Sequence, residues 1–237
     1  MSWHLGRLAG FDTESTGVDV EQDRIVTACI VEVGGKTPPL TSNWLSDVDG
    51  MEIPKAASDI HGVTTEKARA EGAPAAEVVE QLVAGLTQVV LAGTPLVIMN
   101  APYDLTLLDR EARRHGIKTL TDTVGDDLRV VDPRVIDKRL DKFRRGKRTL
   151  TDLCRHYKVR LDGAHSADAD AIAACRVAWR LGEVFPQIVG HVDGLHELQA
   201  KWHAEWAADF QQHLRDKGQA DAVIDGSWPL RPAEGAS

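Results

Sequence analysis

The chain has 237 residues, of which 43% are hydrophobic and 27% are charged, and its formal net charge is −8 at pH 7. These values are ordinary for a soluble globular protein with one large domain, or with a domain and an extension. No apolar run approaches the roughly 18 residues of a membrane span, and the N-terminus lacks the features of a secretory signal. Cys29, Cys154 and Cys175 are widely separated, which argues against a disulfide framework or a zinc cage and predicts a cytoplasmic location.

The first third of the chain is predicted to form strands. Residues 5–11 are largely apolar, residues 24–33 are rich in β-branched side chains, and residues 40–45 are a third strand candidate. Residues 54–61 begin short helical or irregular structure. The apolar side chains of residues 74–91 recur at helical spacing, which predicts the first long helix.

The middle of the chain alternates between strands and helices, and the rest is mostly helical. A short apolar strand is predicted at residues 96–99, a helix at 105–115 and another short strand at 128–131, with mostly helix after Pro133. This order predicts an α/β fold in which helices are layered on one mixed sheet.

One segment is strongly basic although the chain as a whole is acidic. Residues 134–148 contain eight arginine and lysine residues and two aspartates, which gives a local charge of +6. A solvated helix face followed by a loop explains this composition, and so does a surface for nucleic-acid phosphates. An acidic enzyme that gathers carboxylates around metal ions can still carry such a basic strip.

The last predicted helix, at residues 191–218, is amphipathic. Its large apolar side chains, among them Trp202 and Trp206, are three or four residues apart and form one stripe. Packing against the parent domain explains the stripe, and so does docking of a partner protein.

Asp12 and Glu14 follow the first predicted strand. Side chains two residues apart on a strand point the same way, so these carboxylates repel each other unless a cation lies between them. If the strand at residues 96–99 is parallel to the first strand, Asn100 and Asp104 reach the same edge of the sheet, where ligands of α/β proteins bind. The alternative for the acidic pair alone is a polar turn that ends the strand.

A histidine and two further acids lie together late in the chain. Ser166 is the predicted N-cap of a helix that runs to about residue 185, with Asp168 and Asp170 in or near its first turn. Acids favour helix N-termini in any case, and a single loop histidine such as His165 is commonly a surface residue. His165 nevertheless stands five residues before Asp170, and three acids are already predicted to converge at one sheet edge.

Together, these segments resemble the DEDD superfamily of exonucleases. The three matching motifs are Phe11-Asp12-Thr13-Glu14 with Thr16-Gly17, Asn100-Ala101-Pro102-Tyr103-Asp104, and His165 with Asp170. The five-residue offset resembles the histidine branch, which includes the proofreading epsilon subunit of bacterial DNA polymerase III, ribonuclease T and oligoribonuclease. The resemblance implies a ribonuclease H-like fold with a mixed five-stranded sheet over residues 1–185, followed by a helical extension over residues 186–237.

The resemblance also implies two divalent ions, Mg²⁺ or Mn²⁺, about 3.5–4 Å apart. Asp12 would contact both ions. Glu14 and Asp170 would hold the ion that binds the attacking water, and Asp104 would support the other ion. His165, with an intrinsic pKa of about 6.5, would accept the proton of that water.

Seven further residues are expected at the substrate because of the same resemblance. In the family, backbone and hydroxyl groups after the acidic pair hold the terminal nucleotide, and Val18 stands where a bulky apolar residue wedges between the last two bases. A turn role is the alternative for His61, which belongs to a His-Gly-Val element, and a packing role is the alternative for Tyr103. Asn100 is expected to position a strand that carries Asp104. The complete set is Thr13, Ser15, Thr16, Val18, His61, Asn100 and Tyr103.

The predicted function is that of a 3′→5′ exonuclease that releases nucleoside 5′-monophosphates from single-stranded ends, with DNA favoured over RNA. The alternatives are an RNA-trimming enzyme of the same family and a non-catalytic module that docks a partner through the helix of Trp202 and Trp206. The sequence departs from the family at Met99, where a small or polar residue commonly precedes the asparagine. Its tail also has no clear clamp-binding peptide like that of the replicative epsilon subunit.

Overall fold

The computed structural model describes residues 2–162 and 166–233. Within these ranges the strands are β1 Arg7–Ser15, β2 Ile25–Gly34, β3 Leu40–Leu45, β4 Leu96–Val97 and β5 Val130–Val131. The α-helices are α1 Lys55–His61, α2 Thr65–Glu71, α3 Ala75–Leu91, α4 Ala101–Arg114, α5 Leu120–Val124, α6 Pro133–Leu140, α7 Leu150–Tyr157, α8 Ala167–Val184 and α9 Val192–Asp216. Short 3₁₀ helices lie at Trp3–Leu5, Val48–Gly50, Gly125–Asp127 and Pro186–Ile188.

The strands form one mixed sheet in the order β3-β2-β1-β4-β5. The first three strands pair antiparallel through short connections, whereas β4 and β5 run parallel to β1 and are reached through helical crossovers. The predicted mixed five-stranded sheet is therefore confirmed. Because β1 and β4 are parallel neighbours, the segments that follow them leave from the same edge of the sheet.

Helices cover both faces of the sheet, so alternate side chains of β1 point into two different helical layers. Ala9 and Phe11 face a core built largely from α3 and α4. Leu8 faces the opposite core, which α6, α7 and α8 complete. Since side chains alternate along a strand, Asp12 and Glu14 lie on the same side as α8, and Thr13 lies on the same side as α4.

Two predicted boundaries near the acids were wrong. β1 continues to Ser15 because β2 pairs with it along its whole length, so Asp12 and Glu14 lie within the strand and do not follow it. Asp104 lies in the first turn of α4, not on a strand positioned by Asn100. The left-handed backbone of Asn100 (φ 69°, ψ 51°) turns the chain into α4 shortly after β4, and Asp132 accepts hydrogen bonds from the amides of Asn100 and Ala101.

The tail packs on the domain. Gln199 of α9 is buried, donates to the carbonyl of Val130 on β5 and accepts from the amide of Asp132, so α9 covers the edge of the sheet at β5. Trp228 then joins the larger core. Among the described residues, no helix is both long and apolar enough to cross a membrane.

Candidate active site

Three carboxylates converge where β1 meets α8. Oxygen atoms of Asp12, Glu14 and Asp170 all lie within 4.8 Å of one another. The first two residues share a face of β1, and Asp170 lies in the first turn of α8, where its amide donates to the carbonyl of Ser166 at 3.0 Å. The approach of α8 to β1 depends on Gly10, because a Cβ at that position would lie 2.6 Å from the carbonyl oxygen of Ala171. No pattern in the sequence had indicated this packing role of Gly10.

Asp104 approaches from α4 on the opposite side of β1. Its Oδ1 accepts hydrogen bonds from the backbone amide of Thr13 at 3.0 Å and from the Thr13 hydroxyl at 2.7 Å. Asp104 is only 4% exposed, and it lies outside the group of three acids whose oxygens are within 4.8 Å. The chain thus brings all four predicted acids to one place, with Asp104 fixed separately through Thr13.

Burial and like charges act against ionisation at this site. Burial raises the pKa of Asp12 well above its ordinary value, and the charges of Asp104, Asp170 and Glu14 raise it further. Burial also raises the pKa of Asp104, although the hydrogen bonds from Thr13 oppose the rise. A divalent cation between these groups would remove the repulsion. Carboxylate oxygens are the hard donors that Mg²⁺ and Mn²⁺ prefer, so the residues present fit such ions.

The predicted base, His165, lies outside the described residues. Ser166 follows it in the chain and lines a cleft of about 360 Å³ together with His61 and Lys67. The Nδ1 atom of His61 accepts from the amide of Val63 at 3.2 Å, whereas Nε2 is buried and makes no well-formed hydrogen bond among residues 2–162 and 166–233, although the backbone of Ser15 is near enough to favour the charged ring slightly. Burial lowers the pKa of His61, which favours a neutral ring with the proton on Nε2.

Hydroxyl groups hold the loop that follows β1. The Tyr103 and Ser15 hydroxyl oxygens lie within hydrogen-bond distance of the Gly17 carbonyl oxygen and of each other, and their two protons can satisfy two of these three contacts at a time. Thr16 Oγ1 donates to Asp23 at 2.7 Å, and its amide donates to the carbonyl of Arg24. Val18, at the tip of this loop, is 88% exposed. The loop that follows β1 therefore presents an exposed apolar side chain on a fixed backbone.

The basic segment of residues 134–148 divides into two groups. Arg144 and Arg148 turn inward and pair with Asp137, which is fully buried and also accepts from the Tyr157 hydroxyl. Lys142, Arg145 and Lys147 are exposed. The interpretation of residues 134–148 as a solvated helix face and loop is therefore wrong for Arg144 and Arg148. Both side chains pair with Asp137 inside the fold.

The fold and this site define a ribonuclease H-like protein with a carboxylate centre. The family model described as RNase_T exonuclease matches residues 9–178, and the chain belongs to this exonuclease family. The predicted membership of the DEDD exonuclease superfamily and the predicted fold are thus confirmed. A comparison with curated proteins finds no match.

Solved exonuclease structures share the fold at low sequence identity. Exonuclease I from Methylocaldum szegediense is 17% identical, with a TM-score of 0.66 over 86% of this chain and 46% of that protein. E. coli exonuclease I in complex with a dT13 oligonucleotide is 17% identical, with a TM-score of 0.58 over 77% of this chain and 43% of that protein. A full-length 3′-exonuclease is 14% identical, with a TM-score of 0.60 over 76% and 61% of the two chains. The chain therefore spans less than half of the exonuclease I proteins that it matches.

Proposed function

We propose that this chain is a 3′→5′ exonuclease that removes nucleoside 5′-monophosphates from the ends of single-stranded DNA with two divalent ions, Mg²⁺ or Mn²⁺. One observation carries the proposal. In a chain of the exonuclease family, Asp12, Glu14 and Asp170 come from opposite ends of the domain and place their oxygens within 4.8 Å, and Asp104 lies close enough to raise the pKa of Asp12.

The four acids would hold the ions. Bound there, such ions would lower the pKa of a water molecule and offset negative charge on the leaving 3′ oxygen. Asp12 would serve both ions, since all three other acids act on its pKa. Glu14 and Asp170 would serve the ion on the α8 side, and Asp104 would serve the other. His165 is proposed to accept the proton of the attacking water.

The remaining predicted residues fall into two roles. Thr13 and Thr16 use both the hydroxyl and the amide within the fold, so we assign them a positioning role. Ser15 and Tyr103 position the same loop by fixing Gly17. Val18, which is exposed, is proposed to contact the terminal bases.

The other two predicted substrate residues are His61 and Asn100. His61 lines a cleft together with Ser166, and its Nε2 is proposed to donate to the terminal nucleotide. Asn100 Oδ1 accepts from Arg134, and the left-handed backbone of Asn100 begins the turn into α4. We therefore propose that Asn100 positions Asp104 through the start of α4.

DNA is the proposed substrate because structures of E. coli exonuclease I, which share this fold, hold single-stranded DNA oligonucleotides. The direct test incubates the protein with 3′-labelled and 5′-labelled single strands of DNA and RNA in Mg²⁺, Mn²⁺ or EDTA. We expect EDTA-sensitive release of mononucleotides from the 3′ end, faster on DNA. An absence of metal-dependent release would refute the enzyme and leave a binding module, and faster release from RNA would reassign the substrate.

Replacing His165 by alanine is expected to lower the turnover number about 100- to 10,000-fold, which is the usual contribution of a general base. The circular dichroism spectrum and the melting temperature should not change. His213→Ala, at an exposed position on α9, is the matched control and should retain full activity. A rate near that of the wild type in His165→Ala would assign the base to another group.

Replacing Gly10 by alanine is expected to push α8 away from β1. The new Cβ would lie 2.6 Å from the Ala171 carbonyl oxygen and 2.9 Å from Cys175 Sγ, and overpacking of this kind costs about 1–3 kcal/mol. Because Asp170 moves with α8, nuclease activity should fall even at temperatures where the variant is fully folded. Thermal unfolding and the rate of mononucleotide release measure the two effects. Gly194→Ala, which has open space around its Cβ position on α9, should reduce neither; equal behaviour of the two variants would contradict the packing argument.

A further inference from the structure

Two neighbouring clefts lie along the basic segment. The first has a volume of about 490 Å³ and is lined by Asn100, four residues before Asp104. The second, of about 260 Å³, lies between α6 and α9. The two clefts share Lys138 and Arg148 in their linings, and we name them together the α6–α9 groove.

The groove is positively charged although the chain is acidic. Two acids, Glu205 and Asp209, line it, and Arg139 pairs with Glu205 at 2.9 Å. Burial, and to a smaller extent the charges of Arg134 and Arg148, lower the pKa of Lys138 to about 7. A neighbouring anion would favour the charged form of this lysine. The six cationic residues of the groove are Arg134, Lys138, Arg139, Lys142, Lys147 and Arg148.

Aromatic rings alternate with these cations. Lys138 Nζ lies 3.1 Å from the centroid of the Trp206 ring, and Trp206 stacks on Phe210 with 5.5 Å between centroids and 13° between planes. Phe210 is 37% exposed, so the stack has a face open to a ligand. Phe143, on the loop between α6 and α7, is 92% exposed. A charged groove with aromatic platforms suits an unpaired polynucleotide, whose phosphates need cations and whose bases stack.

The groove is linked to Asp104 through Asn100. Arg134 lies in its first cleft and donates to Asn100 Oδ1, and Asn100 begins the turn that places Asp104. The first cleft therefore adjoins the start of the helix that carries one of the four acids. Trp202, by contrast, packs onto both main cores and is held by the fold.

We propose that the α6–α9 groove binds the part of a single-stranded nucleic acid that lies on the 5′ side of the nucleotide being removed, with phosphates at Lys142 and Lys147 and a base on the open face of Phe210. The proposal rests on the proposed function, since it takes the 3′ end to lie at the carboxylates. It predicts that affinity increases with strand length up to the span of the groove.

The test measures the binding of 5′-fluorescent dT3 and dT12 by anisotropy, with EDTA present to prevent hydrolysis. We expect Trp206→Ala, which removes the ring that supports Phe210, to weaken dT12 binding about tenfold, as the loss of one base-stacking platform does. The double variant Lys142→Ala/Lys147→Ala should lower the slope of log Kd against log salt by about 1.4, because each phosphate contact on a single strand contributes about 0.7. Binding of dT3 should change less than twofold, since so short a strand does not reach α9.

Trp179→Ala and Lys118→Ala are matched controls, because both replace exposed side chains outside the groove, and neither should alter dT12 binding. If circular dichroism shows that Trp206→Ala is unfolded, the double variant decides alone, since both of its lysines are exposed. Unchanged dT12 binding in the folded variants overturns the inference and leaves the groove to a protein partner. Equal losses for dT3 and dT12 overturn it as well.

Hydrolysis of dT3 in Mg²⁺ separates this inference from the proposed function. If the groove variants lose dT12 affinity while the wild-type protein hydrolyses neither oligonucleotide, the result supports the groove and refutes the exonuclease. Normal hydrolysis together with unchanged dT12 affinity refutes the groove and supports the exonuclease.

Discussion

Replacing Asp12 by asparagine is expected to abolish exonuclease activity while raising the melting temperature of the metal-free protein. Activity should fall at least about 1,000-fold, because metal ions contribute several kcal/mol to transition-state stabilisation and about 1.4 kcal/mol corresponds to a factor of ten. The stability gain arises because Asp12 is partly buried and lies among three other acids, whose charges raise its pKa. Its amide analogue fills the same space without a charge.

The pH dependence has a definite sign. Burial and like charges raise the pKa of Asp12 in the folded state above its ordinary value, so the folded protein binds the proton more tightly than the unfolded chain does. The resulting destabilisation is present near neutral pH and decreases as the pH falls through the raised pKa toward about 3.8. The advantage of Asp12→Asn over the wild type should therefore shrink in acid.

Thermal unfolding in EDTA and in Mg²⁺ measures these effects. We expect Asp12→Asn to melt about 2–4 °C above the wild type in EDTA, which corresponds to a gain of about 1 kcal/mol in the free energy of unfolding for a chain of this length. Added Mg²⁺ should stabilise the wild type much more than the variant. Asp221→Asn, which neutralises an exposed acid of the tail, should change neither value. A variant that melts lower in EDTA and retains activity would refute the metal site.

Replacing Asp137 by asparagine is expected to destabilise the protein by about 3–5 kcal/mol, which is the cost of removing one partner of a buried ion pair. Asp137 is fully buried, and it accepts from Arg144 at 2.9 Å and from Arg148 at 2.7 Å. Both guanidinium groups lie largely out of solvent, so each would lose its counter-charge. Urea unfolding measures the loss.

Arg145→Ala is the control, because this side chain is exposed in the same loop; it should shift the free energy of unfolding by less than about 0.5 kcal/mol. Asp137, Asp141 and His156 also have the spacing of a metal site. The two arginines already neutralise Asp137, so Mg²⁺ should not rescue the variant or stabilise the wild type through this group. Comparable losses in Asp137→Asn and Arg145→Ala would contradict the assigned role of the buried pair.

Motifs that resemble an exonuclease superfamily were sufficient to predict which acids come together. Asp12, Glu14, Asp104 and Asp170 stand in motifs of fixed offset, and the structure brings all four to one edge of the sheet. The order of strands and helices likewise predicted the mixed sheet, since hydrophobic periodicity is a property of neighbouring residues.

Contacts between distant segments decided what those patterns left open. The end of β1 depends on its pairing with β2, and the first turn of α4 depends on the amides of Asn100 and Ala101, which donate to Asp132. Both β2 and Asp132 lie outside the short windows from which the boundaries were predicted. The predicted end of β1 and the predicted start of α4 were therefore each wrong by about four residues. The sequence showed the positive charge of residues 134–148 but not the direction of its side chains. In the structure Arg144 and Arg148 turn inward to pair with Asp137, whereas Lys142 and Lys147 are exposed.

The sequence by itself thus predicted four acids that the structure brings together, and it determined the class of fold that carries them, because motif offsets and periodicity are local. Only the tertiary structure determined that Gly10 lets α8 approach β1, that Thr13 holds Asp104, and that α9 and α6 line a basic cleft. These features depend on the distance between elements that are far apart along the chain, and packing sets that distance.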